Sequence, residues 1–206
     1  MGDGVFIGRE AELQSMESIL QLQSNSLVSI RKVLILGGMG GIGKTQLAIS
    51  YAKRHRHSYS SVFWLNANNE TTLQNSIRVV AMRIFPPETI GRLEDYQVWV
   101  YISNWLSKPD NTQWLLIFDN YDEPDQYRIE EYYPSVGQGS MIITTRRPEQ
   151  VNGEKIKLGS MTLESDGLAI LATRSKRSNV ESGNRHLILL IDWCLLNTKQ
   201  ILERTN

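Results

Sequence analysis

A single cysteine, Cys194, occurs in 206 residues. No internal disulfide can form and a cysteine-rich zinc site is excluded, which fits a reducing compartment. Neither charge is in excess: 22 Lys+Arg balance 22 Asp+Glu. Zero net charge excludes a protein that coats nucleic acid or an anionic membrane through its global field, while leaving room for local basic patches. Long apolar runs are missing too. The longest, residues 187–196, carries Asp192 and is too short to span a bilayer. The opening decapeptide MGDGVFIGRE lacks a basic segment followed by an apolar one, so no signal peptide is expected. The expectation is a soluble, cytoplasmic chain with no membrane contact, built as one α/β domain or one domain plus a fragment of a second.

What is present alternates strand-like apolar runs with longer amphipathic segments, the pattern of a parallel sheet flanked by helices. Residues 9–22 place Leu13, Met16, Ile19 and Leu20 at helical spacing. Residues 33–36 form an apolar run, with β-branched Val33 and Ile35, suited to a buried central strand. A helix is expected over 44–55, a strand over 62–65, a helix over 71–84 stopped by Pro86-Pro87, and another helix over 95–106. Further strands are expected over 114–118, 141–143 and 155–158, with a short helix opening at Pro124 and one over 163–173. From 175 to 183 the chain turns Ser-, Asn- and charge-rich, as a linker would, and 184–206 reads as an apolar, weakly periodic helix.

Chemistry concentrates in Gly38-Met39-Gly40-Gly41-Ile42-Gly43-Lys44-Thr45, a full match to G-x-x-x-x-G-K-[ST] between a strand and a helix. Glycines let backbone N–H groups wrap a phosphate, and the helix beginning near Lys44 adds its positive end. Lys44 would contact the β- and γ-phosphates, and the Thr45 hydroxyl would ligate Mg²⁺. Such a loop needs a metal-organising acid at another strand tip, and Asp119 ends the run Leu115-Leu116-Ile117-Phe118. It would hold Mg²⁺ through the metal's water shell. Asn120 follows, neutral and a poor general base. Asp122 and Glu123 are the nearest acids able to polarise a water, and they read equally well as a solvated loop. Arg146, ending the strand over 141–143 and its Thr144-Thr145 extension, suits a fork on the γ-phosphate that reports ATP against ADP; a surface ion pair explains it equally well.

Together these residues resemble the NB-ARC domain of STAND-class signalling P-loop NTPases, particularly the fungal NOD-like receptor branch. The resemblance rests on Phe6-Ile7-Gly8-Arg9-Glu10, the run from Gly37 to Thr45, Phe63-Trp64-Leu65-Asn66, the Walker B-like run from Leu115 to Asp122, and the sensor-like run from Gly139 to Arg146, in that order and spacing. It implies a three-layer sandwich whose mostly parallel sheet of about five strands has the order 2-3-4-1-5. It also implies a switch that holds ADP tightly at rest and exchanges it for ATP to open, self-associate or engage a signalling partner. Gly8 and Arg9 would line the nucleotide pocket, although Arg9 also reads as an N-terminal helix charge.

The resemblance covers 1–177, and the remainder, 178–206, reads as a divergent helical tail. The family's Gly-Leu-Pro-Leu and Met-His-Asp motifs do not occur, and His186 is followed by Leu187 rather than by an acid. A truncated gene product and a natural short form both fit that ending, and no effector domain precedes the nucleotide domain in this sequence. The basic run from Lys53 to His57 sits at a helix C-terminus, where cations are favourable by themselves, so it gives no strong nucleic-acid signal. The tryptophans Trp64, Trp99, Trp105 and Trp114 read as core; Tyr121, Tyr127, Tyr132 and Tyr133 cluster after the Walker B-like run and suit a cover over the pocket mouth or a partner surface, with core packing the preferred reading. Three functions follow: an ADP/ATP switch with slow or no hydrolysis; a P-loop kinase or fast ATPase using Asp122 or Glu123; or a degenerate interaction module.

Overall fold

The computed structural model describes residues 9–20, 31–135 and 139–159. Its elements are α1 (Glu10–Leu20), β1 (Lys32–Gly37), α2 (Lys44–Arg54), β2 (Ser61–Asn66), α3 (Glu70–Ile84), α4 (Pro87–Ile90), α5 (Asp95–Leu106), β3 (Trp114–Asp119), β4 (Ser140–Thr145) and β5 (Glu154–Lys157). The strands form one sheet in the order β2-β3-β4-β1-β5, every pairing parallel, as the resemblance implied. All five therefore end at the same edge, where Gly37 lies beside Thr145 and Asn66 beside Asp119. In open parallel sheets the crevice beyond that edge is where ligands bind.

The apolar runs of β3 and β4 are explained by position: every residue in both is buried, because helices cover both faces. Alternate strand side chains separate into two cores. Phe63, Leu65, Leu116, Phe118, Met141 and Ile143 pack with α3, α4 and α5. On the opposite face Leu34, Leu36, Val62, Trp64, Ile117 and Ile142 meet Leu13, Met16 and Leu20 of α1 and Leu47, Ala48 and Tyr51 of α2. The edge strand β5 is mostly exposed and carries Glu154, Lys155 and Lys157, charges that discourage pairing with another sheet. Helix α3 starts on a reciprocal cap, Asn69 Oδ1 accepting the Thr72 N–H and Thr72 Oγ1 accepting that of Asn69.

Two local expectations differ. Pro86-Pro87 does stop α3, but Pro87 also opens the four-residue helix α4, since proline is well suited to a first helical position. At Pro124 the chain makes a turn, and the short helix is a 3₁₀ segment, Ile129–Tyr132, further on. Its surroundings explain the shift. Tyr121 Oη donates to Tyr127 O at 2.8 Å and Tyr127 Oη donates to Ala67 O at 2.6 Å, pinning the segment between them against the core. Trp64, Trp99, Trp114, Tyr121, Tyr127 and Tyr132 are buried, while Trp105 and Tyr133 are partly buried against the core. The expected helix over 163–173 and the tail over 178–206 lie outside the described residues.

Candidate functional site

The 38–43 loop leaves β1 at the ligand edge of the sheet and feeds directly into α2. Gly43, the residue before α2, has φ 100°, and a Cβ there would meet nothing within 4 Å. Glycine is needed at that position for backbone conformation rather than for space. Among the described residues no side chain caps this end of α2, which leaves its first N–H groups suited to an anion. Lys44 is 7% exposed, and its Nζ donates to the carbonyls of Gly38 and Met39 at 2.8 and 3.0 Å, folding across the loop. Burial pulls its pKa below the ordinary lysine value, opposed by the charges of Asp122 and Asp119.

At the tip of β3, Asp119 is buried and gathers two hydroxyls on Oδ1: Thr144 donates at 2.7 Å and Thr45 at 2.9 Å. Burial raises its pKa, while the two hydroxyls and Lys44 pull the other way. A carboxylate held beside a P-loop hydroxyl in a dry site is a hard-oxygen pair suited to a divalent cation, which would offset the cost of burying the charge. Among the described residues there is no group of three or more His, Cys, Asp or Glu placed to hold a metal. Phosphate oxygens and water would therefore complete the coordination shell of Mg²⁺ at Thr45 and Asp119.

Thr144 was not singled out as a site residue in the sequence. Its Oγ1 also accepts the N–H of Asn120 at 2.9 Å, and Tyr121 N donates to Thr144 O at 2.9 Å. It thereby holds Asn120 at φ 65°, where the chain turns out of β3. The signal was available in the strand order: with β3 and β4 adjacent and ending together, the hydroxyl at the end of one reaches the acid at the end of the other.

The structure brings Asp122 and Arg146 together. Asp122 Oδ1 accepts the Arg146 N–H at 2.7 Å, and Oδ2 lies 2.9 Å from Arg146 Nε. The guanidinium rests on the phosphate loop, since a Cβ on Gly40 would stand 3.2 Å from Arg146 Cζ. The ion-pair reading of Arg146 is met, and the paired guanidinium lies over the loop. Glu123 and Asn120 are exposed. Together Gly38, Gly40, Arg146, Arg147 and Lys157 border an open cavity of about 610 Å³, within the usual range for small-molecule sites.

Gly8 lies outside the described residues. Arg9 is 6% exposed, in the left-handed region at φ 61°. Its Nη2 donates to Ile42 O and to Gly159 O, each at 3.0 Å, and Nη1 donates to Glu12 Oε1 at 3.0 Å. The guanidinium therefore ties the phosphate loop to the chain beyond β5. Of the basic run at the C-terminal end of α2, Arg54 pairs with Glu10, and the His55 ring stacks on Tyr51 with centroids 4.4 Å apart.

The NB-ARC domain model matches residues 13–170. A nucleotide-binding leucine-rich repeat (NLR)-like protein of Hyaloscypha variabilis is 29% identical over 188 residues, covering 82% of this chain. The chain spans only 18% of that relative. Among solved structures, Cdc6p from Pyrobaculum aerophilum superposes with TM-score 0.60 at 15% identity, covering 87% of this chain and 54% of that one. A STAND (signal transduction ATPase with numerous domains) protein with a tetratricopeptide repeat sensor, from Pyrococcus horikoshii, gives TM-score 0.51 at 19% identity, covering 86% of this chain and 27% of that one. At such identities the two structures speak for the fold alone, and it is the P-loop NTPase fold. The family model covers well over half the sequence and agrees with the loop, the strand order and the site edge: this chain belongs to the NB-ARC family of STAND-class, nucleotide-binding P-loop NTPases.

Proposed function

We infer that residues 1–177 form an adenine-nucleotide switch that binds ADP and ATP with Mg²⁺ and hydrolyses slowly or not at all. Gly38, Gly40, Gly41, Ile42 and Gly43 would cradle the phosphates, Lys44 would neutralise them, Thr45 and Asp119 would hold Mg²⁺, and Arg146 would meet the terminal phosphate. Bound Mg²⁺ would screen phosphate charge and fix its orientation. Adenine as the base comes from family membership, as do a signalling partner or self-association and action in the cytoplasm. Among the described residues no helix is long and apolar enough to cross a membrane.

The observation that carries this reading is the convergence of Lys44, Thr45, Asp119 and Arg146 on one loop from three places in the fold, the start of α2 supplying two of them, the tip of β3 one and the end of β4 one. The residue after Asp119 is the neutral Asn120, and the nearest acid, Asp122, is engaged by Arg146 rather than held beside Asp119. An enzyme of rapid turnover needs a base or water-positioning group at the phosphate, so this arrangement favours a switch over a kinase or fast ATPase.

Nucleotide carried through purification should be released by denaturation and identified by chromatography as ADP or ATP, and Lys44→Ala should carry none. Steady turnover near about 1 per second or faster would instead assign a catalytic role. Wild type that emerges empty and binds no added ADP would support the degenerate-module reading.

A further inference from the structure

The Asp122–Arg146 pair is more ordered than a chance surface contact. One carboxylate holds the arginine twice, at its backbone N–H (2.7 Å) and at Nε (2.9 Å), fixing both the root and the head of the side chain. The head lies on the phosphate loop, with Cζ and Nη2 3.2 and 3.3 Å from where a Gly40 Cβ would be. Arg147, the next residue, pairs through Nη1 alone with Asp125, so the loop after β3 sets two acids against two consecutive arginines at the end of β4. The Arg146 side chain is 64% exposed and that of Asp122 20%, so the pair stands in water and a stronger anion can break it. Asp122 and Arg146 both act electrostatically on Lys44, in opposite senses, which places the pair within the field of the phosphate loop.

A guanidinium with one edge neutralised by a carboxylate is a poorer partner for phosphate than a free one, because the two anions compete for the same fork. We propose that Asp122 sets the preference between nucleoside di- and triphosphates, holding Arg146 over the loop and competing with the terminal phosphate for its guanidinium. With a diphosphate the pair persists. With a triphosphate, the Arg146 guanidinium must be shared or released, and the loop after β3 loses one of its several ties to the end of β4. This makes Asp122 a specificity-determining residue acting through Arg146, and it rests on the nucleotide-site reading above.

Asp122→Asn tests it. An amide oxygen still accepts the Arg146 N–H, but the counter-charge is gone and an NH₂ donor faces Nε. Binding of Mg²⁺-ADP and Mg²⁺-ATPγS is measured by calorimetry on wild type, Asp122→Asn, Asp122→Glu, Arg146→Ala and the Asp122→Asn/Arg146→Ala double variant, each checked by thermal melting. The expected result is a rise of roughly two- to fivefold in ATPγS affinity relative to ADP in Asp122→Asn, the scale of an exposed ion pair. Asp122→Glu, which keeps the charge, should lie closer to wild type, and Asp122→Asn should change nothing in the Arg146→Ala background. An unchanged ratio, or a change that survives without Arg146, overturns the proposal. So does lost hydrolysis with an unchanged ratio, which would give Asp122 the water-polarising role instead. Wild type that binds neither nucleotide refutes the underlying reading and the proposal with it.

Discussion

Replacing Thr144 by valine removes one oxygen and nearly no volume, yet it should weaken both the fold and the metal site. Thr144 is fully buried, and its Oγ1 donates to Asp119 at 2.7 Å and accepts from Asn120 N at 2.9 Å. Valine leaves Asp119 with one hydroxyl donor instead of two, and it strands the Asn120 N–H. A hydrogen bond to a charged group contributes about 1.5–3 kcal/mol, and an unsatisfied buried donor costs about 1–3 kcal/mol. The Asn120 end is partly open to water, because that residue is exposed, so the sum falls toward the low end, about 2–4 kcal/mol. For a chain of this size that is a loss of roughly 4–16 °C in Tm, readable by calorimetry or circular dichroism. The Asn120 backbone, held at φ 65°, should relax as well, reducing Mg²⁺-dependent nucleotide affinity beyond what lower stability explains. Thr144→Ser, which keeps the oxygen, should restore most of both. A valine variant melting within about 1 °C of wild type would refute the claim that this hydroxyl organises the tip of β3.

Arg9→Met should weaken binding of Mg²⁺-pyrophosphate and of Mg²⁺-ADP by similar factors, because Arg9 braces the Ile42 carbonyl of the phosphate loop; calorimetry showing loss for ADP only would make it a base contact instead. His55 bears on pH. Burial lowers its pKa below 6.5, with Glu17 opposing and Arg54 reinforcing, and its Nε2 is buried with no hydrogen-bond partner among the described residues. The unfolded chain then takes up the proton first, so this stability is present above pH 6.5 and is lost as pH falls from there toward the folded value. Melting curves of His55→Phe, which keeps a ring against Tyr51, should show a flatter dependence over that window; an unchanged slope would refute the assignment. Gly139→Ala should be among the most damaging single changes: at φ 76° its Cβ would stand 2.3 Å from the Trp114 ring, implying a loss of about 2–4 kcal/mol in denaturant titration, and near-wild-type stability would contradict the packing described.

Strand positions and the phosphate loop were legible because each rests on a local signal. Residues 33–36 are apolar without interruption because β1 is central, and Gly38 to Thr45 is a pattern that few other requirements produce. The strand order came from family likeness, since nothing in the runs themselves says that β4 inserts between β3 and β1. What could not be read depends on contacts across the fold. Arg9 reaches Ile42 and Gly159, 33 and 150 residues away, and no spacing rule connects them. The sequence marks Asp122 as an acid near the β3 tip and Arg146 as a cation ending β4, but their pairing follows from β3 and β4 finishing side by side. Pro124 misled for a related reason: proline signals a helix start or a turn with similar force, and here the tyrosine hydroxyl bonds of the next few residues decide.

The central claim is that the loop from Gly38 to Thr45 with Asp119 holds an adenine nucleotide through Mg²⁺. The most direct measurement is a calorimetric titration of nucleotide-stripped protein with Mg²⁺-ADP, run for wild type, Lys44→Ala and Asp119→Asn. The account predicts one-to-one binding to wild type, abolished by Lys44→Ala and reduced to its Mg²⁺-free level by Asp119→Asn. Equal binding by all three proteins, or no heat with a folded wild type, would contradict it.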